Sequence, residues 1–328
     1  MRATVAAVTW PVATTGAAVR GAWPTRSAAI LVLDDGDACG LGEAAPLPGF
    51  GDDAVARAHL ELEQWCVDRT PPRSPSARFA IETAEASLAA ARAGTTLAAQ
   101  WGATRHGAVA TAAVVDDPDQ AAAAIAAGAR ALKLKLDGRN DRATVAAIRA
   151  VAPGVVLRAD ANRAWPLAEL DARLAALAEF ALAFVEEPAP GIGAALARRT
   201  APLAVPIALD ESLAAPDRDA WLDAALASGA VAALVLKPTV LGGVTAVRAL
   251  AAHARRHRVA TLVSHALEGP IALAAAGALA AAIAPTAIHG LGAHPALTAW
   301  GAIGPDPRGL GLDVAALRAA IARLERRP

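Results

Sequence analysis

The chain has 328 residues, room for one large domain and a smaller one, and its 31 basic side chains balance 31 acidic ones. That neutrality excludes the broad positive field that nucleic acid or an anionic membrane surface selects, so a small-molecule partner is expected and neither nucleic acid nor membrane is. Two cysteines in so long a chain read as free thiols of a reducing compartment, and Thr4, Thr9, Trp10 and Pro11 interrupt any secretory leader, so the expected location is the cytoplasm.

Residues 27–33 and 37–44 read as two strands around the turn Asp34-Asp35-Gly36. Helical patterns follow at 53–68 and 75–92, with Ser74 as N-cap and Pro75 in the first turn, and Pro71 and Pro72 between them. Strands followed by helices predict an α+β capping domain over residues 1–105, completed by the segment 297–328 with its loop at 301–311 and a last helix at 313–326. From residue 107 the rhythm changes. Short apolar strands near 108–115, 130–136, 155–160, 182–186, 206–210, 232–237, 259–264 and 286–290 alternate with helices, whose signals include Asp116-Asp117-Pro118 at a start and Gly128 at a stop. Eight such strands close a (β/α) barrel, placed at residues 106–296. Ala-rich stretches such as 271–284 are too short and Ala-weighted to span a bilayer.

Charged residues end five consecutive barrel strands. They are Lys135 in ALKLKL (131–136), Asp160 in VVLRAD (155–160), Glu186 in LAFVEEP (182–188), Asp210 in IALD (207–210) and Lys237 in ALVLKP (233–238). The gaps of 25, 26, 24 and 27 residues each match one strand, loop and helix, so the five converge on one barrel mouth. A single such residue is unremarkable at a solvated strand end; five in phase specify a site. Carboxylates brought together repel unless a hard divalent cation takes their oxygens, so Asp160, Glu186 and Asp210 are the candidate metal ligands. Strand alternation lets only one of Glu186 and Glu187 point inward. Lys133, Lys135 and Lys237 are the only lysines in a chain that otherwise uses arginine. Lys133 and Lys135 share a strand face, and two buried ammonium groups so close are expected to depress each other's pKa until one acts as a base. A metal-held substrate carboxylate between these lysines would suit abstraction of its α-proton.

Ser264, His265 and Asn162 are the candidate substrate contacts. His289 and His294 read as loop residues, the Gly-rich pieces at 241–243 and 290–292 are weak signals for phosphate, and no His/Cys spacing suggests zinc.

Taken together, DANRAW (160–165), EEP (186–188), DESL (210–213), KPT (237–239) and GEAAPLPGF (42–50) resemble the enolase superfamily, in its muconate-lactonizing-enzyme-like subgroup and most closely the o-succinylbenzoate synthase family. The similarity spans residues 27–292. It implies a (β/α)7β modified TIM barrel under an N-terminal α+β cap. It also implies Asp160, Glu186 and Asp210 as ligands of Mg2+, with Mn2+ a substitute, Lys135 as general base, Lys133 as its partner and Lys237 on the opposite side of the substrate. The implied reaction is dehydration of 2-succinyl-6-hydroxy-2,4-cyclohexadiene-1-carboxylate in menaquinone biosynthesis. The seventh strand ends SHALEGP (264–270), where familiar members are serine-rich. N-acylamino acid racemases and dipeptide epimerases share the lysines and are the alternative, although an epimerase usually carries Asp-x-Asp at the last strand and IHGLG (288–292) lacks it. From a different class, the alternative is a non-catalytic barrel that binds a metal or a partner.

Overall fold

The computed structural model describes residues 1–12, 23–50, 53–105 and 107–325. Its N-terminal layer is an antiparallel sheet in the order β1-β2-β3, formed by β1 (Arg2–Pro11), β2 (Thr25–Asp34) and β3 (Cys39–Ala44). β1, which sequence reading had not assigned as a strand, runs beside β2 from Arg2↔Asp34 to Pro11↔Thr25. The β2–β3 hairpin turns where expected, with the carboxylates of Asp34 and Asp35 accepting from Gly36 N and Ala38 N. Two helices, α1 (Val55–Asp68) and α2 (Pro75–Arg92), cover the sheet through Leu31, Leu33, Leu62, Trp65, Ala80 and Leu88. Ser74 holds the N-cap position of α2 but makes no side-chain capping bond. Gly42 lies so close beneath α2 that an added Cβ would fall 1.8 Å from Ala80 O, so strand and helix meet backbone to backbone.

A short α3 (Leu97–Gln100) leads to the barrel. Its elements run β4 (Ala110–Thr111), β5 (Ala113–Val115), α4 (Pro118–Ala126), β6 (Ala131–Lys135), α5 (Asp141–Val151), β7 (Val156–Asp160), α6 (Leu170–Leu177), β8 (Phe184–Glu186), α7 (Ile192–Ala197) and β9 (Ile207–Leu209). They continue with α8 (Arg218–Ala227), β10 (Val231–Leu236), α9 (Pro238–Leu241), α10 (Gly243–Arg256), β11 (Ala260–Val263), α11 (Pro270–Ile283) and β12 (Ile288–His289). Strands β5 to β11 form one parallel sheet in sequence order. It closes through a bridge between Ser264 and Gly290 and through the parallel pair β12–β4, β4 being continuous with the start of β5. Eight strand segments and seven crossovers give the (β/α)7β barrel that the apolar rhythm predicts. Among the described residues, no helix returns to the barrel after β12. The chain passes instead through a turn at Pro295–Trp300 into α12 (Val314–Glu325), which packs on β1.

Cap and barrel meet through buried and partly buried polar side chains. Arg26 of β2 is 2% exposed and donates to Pro46 O and Ala45 O at 2.8 Å, Leu267 O at 3.1 Å and Ala266 O at 3.3 Å. Glu43 of β3 accepts from Gly269 N and Ala272 N at the start of α11, while Glu82 of α2 accepts from Val244 N and Thr245 N at the start of α10. Two cap carboxylates therefore satisfy the free N–H groups and positive dipole ends of two barrel helices. Trp10 and Trp300 meet edge to face at 5.2 Å behind them. Arg26→Met would leave four carbonyls facing an apolar chain, and is expected to lower the unfolding free energy in urea by about 3 kcal/mol. An unchanged midpoint would show that this arginine does not hold the layers together.

Candidate active site

The barrel's register lines up the charges. Lys135 pairs with Asp160 across β6 and β7, and Asp160 with Glu186 across β7 and β8, so three charged residues stand side by side at one level of the sheet. Asp210 and Lys237 directly follow β9 and β10. Lys133 Nζ lies 2.8 Å from Glu186 Oε1 and 2.9 Å from Asp160 Oδ2, Lys135 Nζ lies 2.6 Å from Asp160 Oδ2, and Lys237 Nζ pairs with Asp210. All six residues singled out on sequence thus meet in one cluster.

A seventh group joins them. Glu211 is largely buried beside Lys237, its Oε1 is 3.5 Å from Asn162 Nδ2, and its Oε2 has no hydrogen-bond partner among the described residues. Four carboxylates face three ammonium groups, and the site's electrostatics register the imbalance. Burial, followed by the charges of Asp160 and Asp210, pushes Glu186 up; burial pushes Asp210 up to about 6 even beside Lys237. Asp160 is held low despite its burial by its two lysines. Lys133 corrects the expectation of mutual depression. Although burial disfavours its ammonium form, Asp160 and Glu186 outweigh that cost and hold its pKa above the ordinary value; Asp210 and Glu211 do the same for Lys237.

Glu187, the outward neighbour of Glu186, is fully buried. It accepts from Asp210 N at 3.0 Å, Ser212 N at 3.1 Å and Arg163 Nε at 3.0 Å, and so fixes the backbone that presents Asp210. Glu187, Asn162 and Arg163 all take positive φ, of 39°, 43° and 60°, which bends the loops after β7 and β8 around the cluster. Asn162 Oδ1 accepts from Lys135 Nζ at 2.8 Å and so orients that amine.

The far wall is different. His265 follows β11, is half-buried, and lies with its ring tilted by 35° at 4.3 Å from His294, whose two ring nitrogens have no hydrogen-bond partner among the described residues. Burial lowers both, His265 well below the ordinary imidazole value and His294 to about 4, so both rings are neutral. Ser264 turns its hydroxyl to Gly290 O at 3.2 Å, in the barrel's closing bridge. His289 is no loop residue: it lies in β12, fully buried, accepting from Val263 N and bonding Ala284 O. The cap contributes Phe50, whose ring centre is 4.7 Å from Lys237 Nζ. The sequence reading did not assign Glu211, His294 or Phe50 to the site: Glu211 and Phe50 stood only inside the DESL and GEAAPLPGF motifs and His294 was read as a loop residue; for Glu211 the signal was its place directly after Asp210.

An all-oxygen donor set with surplus negative charge fits a hard divalent cation, provided the ammonium groups yield the oxygens they now hold. A family model described as Enolase C-terminal domain-like matches residues 116–311. The chain belongs to this enolase superfamily and, within it, to the muconate-lactonizing-enzyme-like subgroup. An o-succinylbenzoate synthase of Enterobacter sp. (strain 638) is 33% identical over 250 residues, 70% of this chain and 72% of that protein. The L-Ala-D/L-Glu epimerase of Escherichia coli (strain K12) is also 33% identical, over 219 residues, 62% of this chain and 68% of that protein. Muconate lactonizing enzyme from Pseudomonas putida matches with a TM-score of 0.80 over 98% of each chain at 19% identity, a likeness of fold. Members of the superfamily bind divalent metals and act on small molecules. Among the described residues, no helix is long and apolar enough to cross a membrane.

Protons and a cation compete for Asp210. Its raised pKa, about 6 against an ordinary 3.8, means that the metal-free protein loses stability as pH rises through that window, a penalty a bound cation removes. The gain in melting temperature on adding saturating MgCl2 is therefore expected to be larger at about pH 8 than at about pH 5. Equal gains at both would show that these carboxylates do not take the ion.

Proposed function

We propose that the protein is an o-succinylbenzoate synthase, dehydrating 2-succinyl-6-hydroxy-2,4-cyclohexadiene-1-carboxylate to 2-succinylbenzoate. Mg2+ held by Asp160, Glu186 and Asp210, with Mn2+ able to replace it, would bind the substrate carboxylate and neutralise the charge that develops on it. Lys135, oriented by Asn162, takes the α-proton from one face of the ring. The same ammonium returns that proton to the departing hydroxyl on the same face, so water leaves and the ring becomes aromatic. Lys133 keeps a positive charge beside Asp160 and Glu186, and Lys237 faces the substrate from the opposite side as a charge stabiliser. His265 and Ser264 would contact the succinyl tail, whose carboxylate is a hydrogen-bond acceptor for an imidazole N–H or a hydroxyl.

The observation that favours this reading over a dipeptide epimerase is the exit of β12. A dipeptide brings an α-ammonium that needs a carboxylate, and residues 288–293 contain none. Gly290 has no room to gain one, since an added Cβ would lie 2.7 Å from Ser264 Oγ. The three-lysine, four-carboxylate cluster speaks likewise against a non-catalytic barrel, because nothing in simple folding favours so much buried charge.

Lys135→Ala is expected to lower kcat by about 10²–10⁴-fold while the urea midpoint stays near wild type. Full turnover in that variant would remove Lys135 from the mechanism. The reaction itself is tested by supplying the cyclohexadiene carboxylate and, separately, N-acylamino acids and dipeptides in deuterated water, following product absorbance and α-deuterium together. Rapid aromatisation with little exchange into the amino acid derivatives is expected; efficient exchange without aromatisation would make the protein a racemase or epimerase.

A further inference from the structure

A second cluster of ligating side chains stands away from the barrel mouth. His253 and His257 lie one helical turn apart at the end of α10, and Asp223 projects from α8 to meet them. His253 Nε2 is 3.0 Å and His257 Nε2 is 2.9 Å from the same oxygen, Asp223 Oδ1. The two rings are nearly parallel, with centroids 5.4 Å apart and 15° between their planes. Among the described residues this is the one group of three His, Cys, Asp or Glu side chains whose ligand atoms all lie within 4.8 Å of one another. The carboxylates of the barrel mouth, interleaved with ammonium groups, do not reach that convergence.

We propose that Asp223, His253 and His257 form a binding site for a borderline transition-metal dication of the Zn2+, Ni2+ or Cu2+ class. Two imidazole nitrogens select such ions over Mg2+ and Ca2+, which prefer oxygen. Histidines at i and i+4 share one helix face, so α10 presents both Nε2 atoms together before any ion arrives. Ligands about 2.0–2.1 Å from a tetrahedral zinc stand about 3.3 Å apart, so the Asp–His separations need open by only about 0.4 Å. On binding, each Nε2 gives its lone pair to the ion and the ring proton resides on Nδ1. Asp223 then trades two hydrogen bonds for one metal bond, and water completes the coordination.

The place of the site separates it from catalysis. His257 precedes β11 by three residues, at the N-terminal rim of the barrel, whereas the lysine and carboxylate cluster sits at the C-terminal ends of the strands. A bound ion would pin α8 to α10 across the outside of β10 and leave the mouth untouched.

The test uses the full chain, stripped with chelator and returned to excess MgCl2 so that oxygen sites are filled. Zn2+ is titrated against a chromophoric indicator, and Cu2+ is added separately for electron paramagnetic resonance. One equivalent of Zn2+ is expected with a Kd below on the order of 10 µM, together with hyperfine splitting from two imidazole nitrogens in the Cu2+ spectrum. His253→Ala, His257→Ala and Asp223→Asn should each weaken Zn2+ binding by about tenfold or more, with Mg2+-dependent turnover unchanged. A weaker wild-type Kd, no nitrogen splitting, or undiminished binding in the double variant His253→Ala/His257→Ala would overturn the proposal.

Discussion

Charge compensation at the barrel mouth is the constraint to which the rest of the molecule answers. Asp160, Glu186, Asp210 and Glu211 are all buried or nearly so, and carboxylates in that position are costly unless each finds a positive partner. Three lysines supply most of it, and each stands within hydrogen-bond reach of a carboxylate on or directly after a neighbouring strand. The parallel register is what permits this, since Lys135, Asp160 and Glu186 are direct neighbours across three strands. A slip of one residue in any of them would turn its charge outward into the helix layer. Glu187 and Asn162 then do for the loops what the register does for the strands, tying Asp210 and Lys135 in place from outside and above.

The same device recurs where the cap meets the barrel. Glu43 and Glu82 are buried or partly buried acids whose partners are backbone N–H groups at helix starts, and Arg26 donates four hydrogen bonds to carbonyls of both layers. Polar docking of this kind is directional, so it fixes the angle at which the cap loop carrying Phe50 approaches Lys237. Apolar contacts alone would permit sliding.

Much of this was legible in the sequence because the barrel repeats a simple rule: an apolar run, a charge, then a helix start. Asp117 caps α4 as its spacing predicts, and every barrel strand lies within two residues of its apolar run or inside it. β1 was not, since Ala3, Thr4, Ala6, Ala7 and Thr9 give no clear apolar–polar alternation to mark a strand until β2 pairs with it. The direction of the Lys133 shift was misread for a related reason. Two lysines adjacent on one strand are visible locally, but the carboxylates that outweigh them come from strands 25 and more residues away. The Asp223 cluster was hidden in the same fashion: the histidine pair is a local pattern, and its third member lies 30 residues upstream on another helix.

The three lysines have one more consequence. Apart from the chain's first residue, every primary amine belongs to the cluster, with side chains only 12–22% exposed. Amine-directed chemistry on lysine side chains therefore has no spectator sites: beyond the α-amine of the first residue, acylating reagents, dye esters and cross-linkers report on the mouth. A protease that cuts only after lysine has its targets within or at the end of two barrel strands, at residues 133, 135 and 237. Its digestion rate is consequently a clock for the opening of the barrel itself, without any label attached.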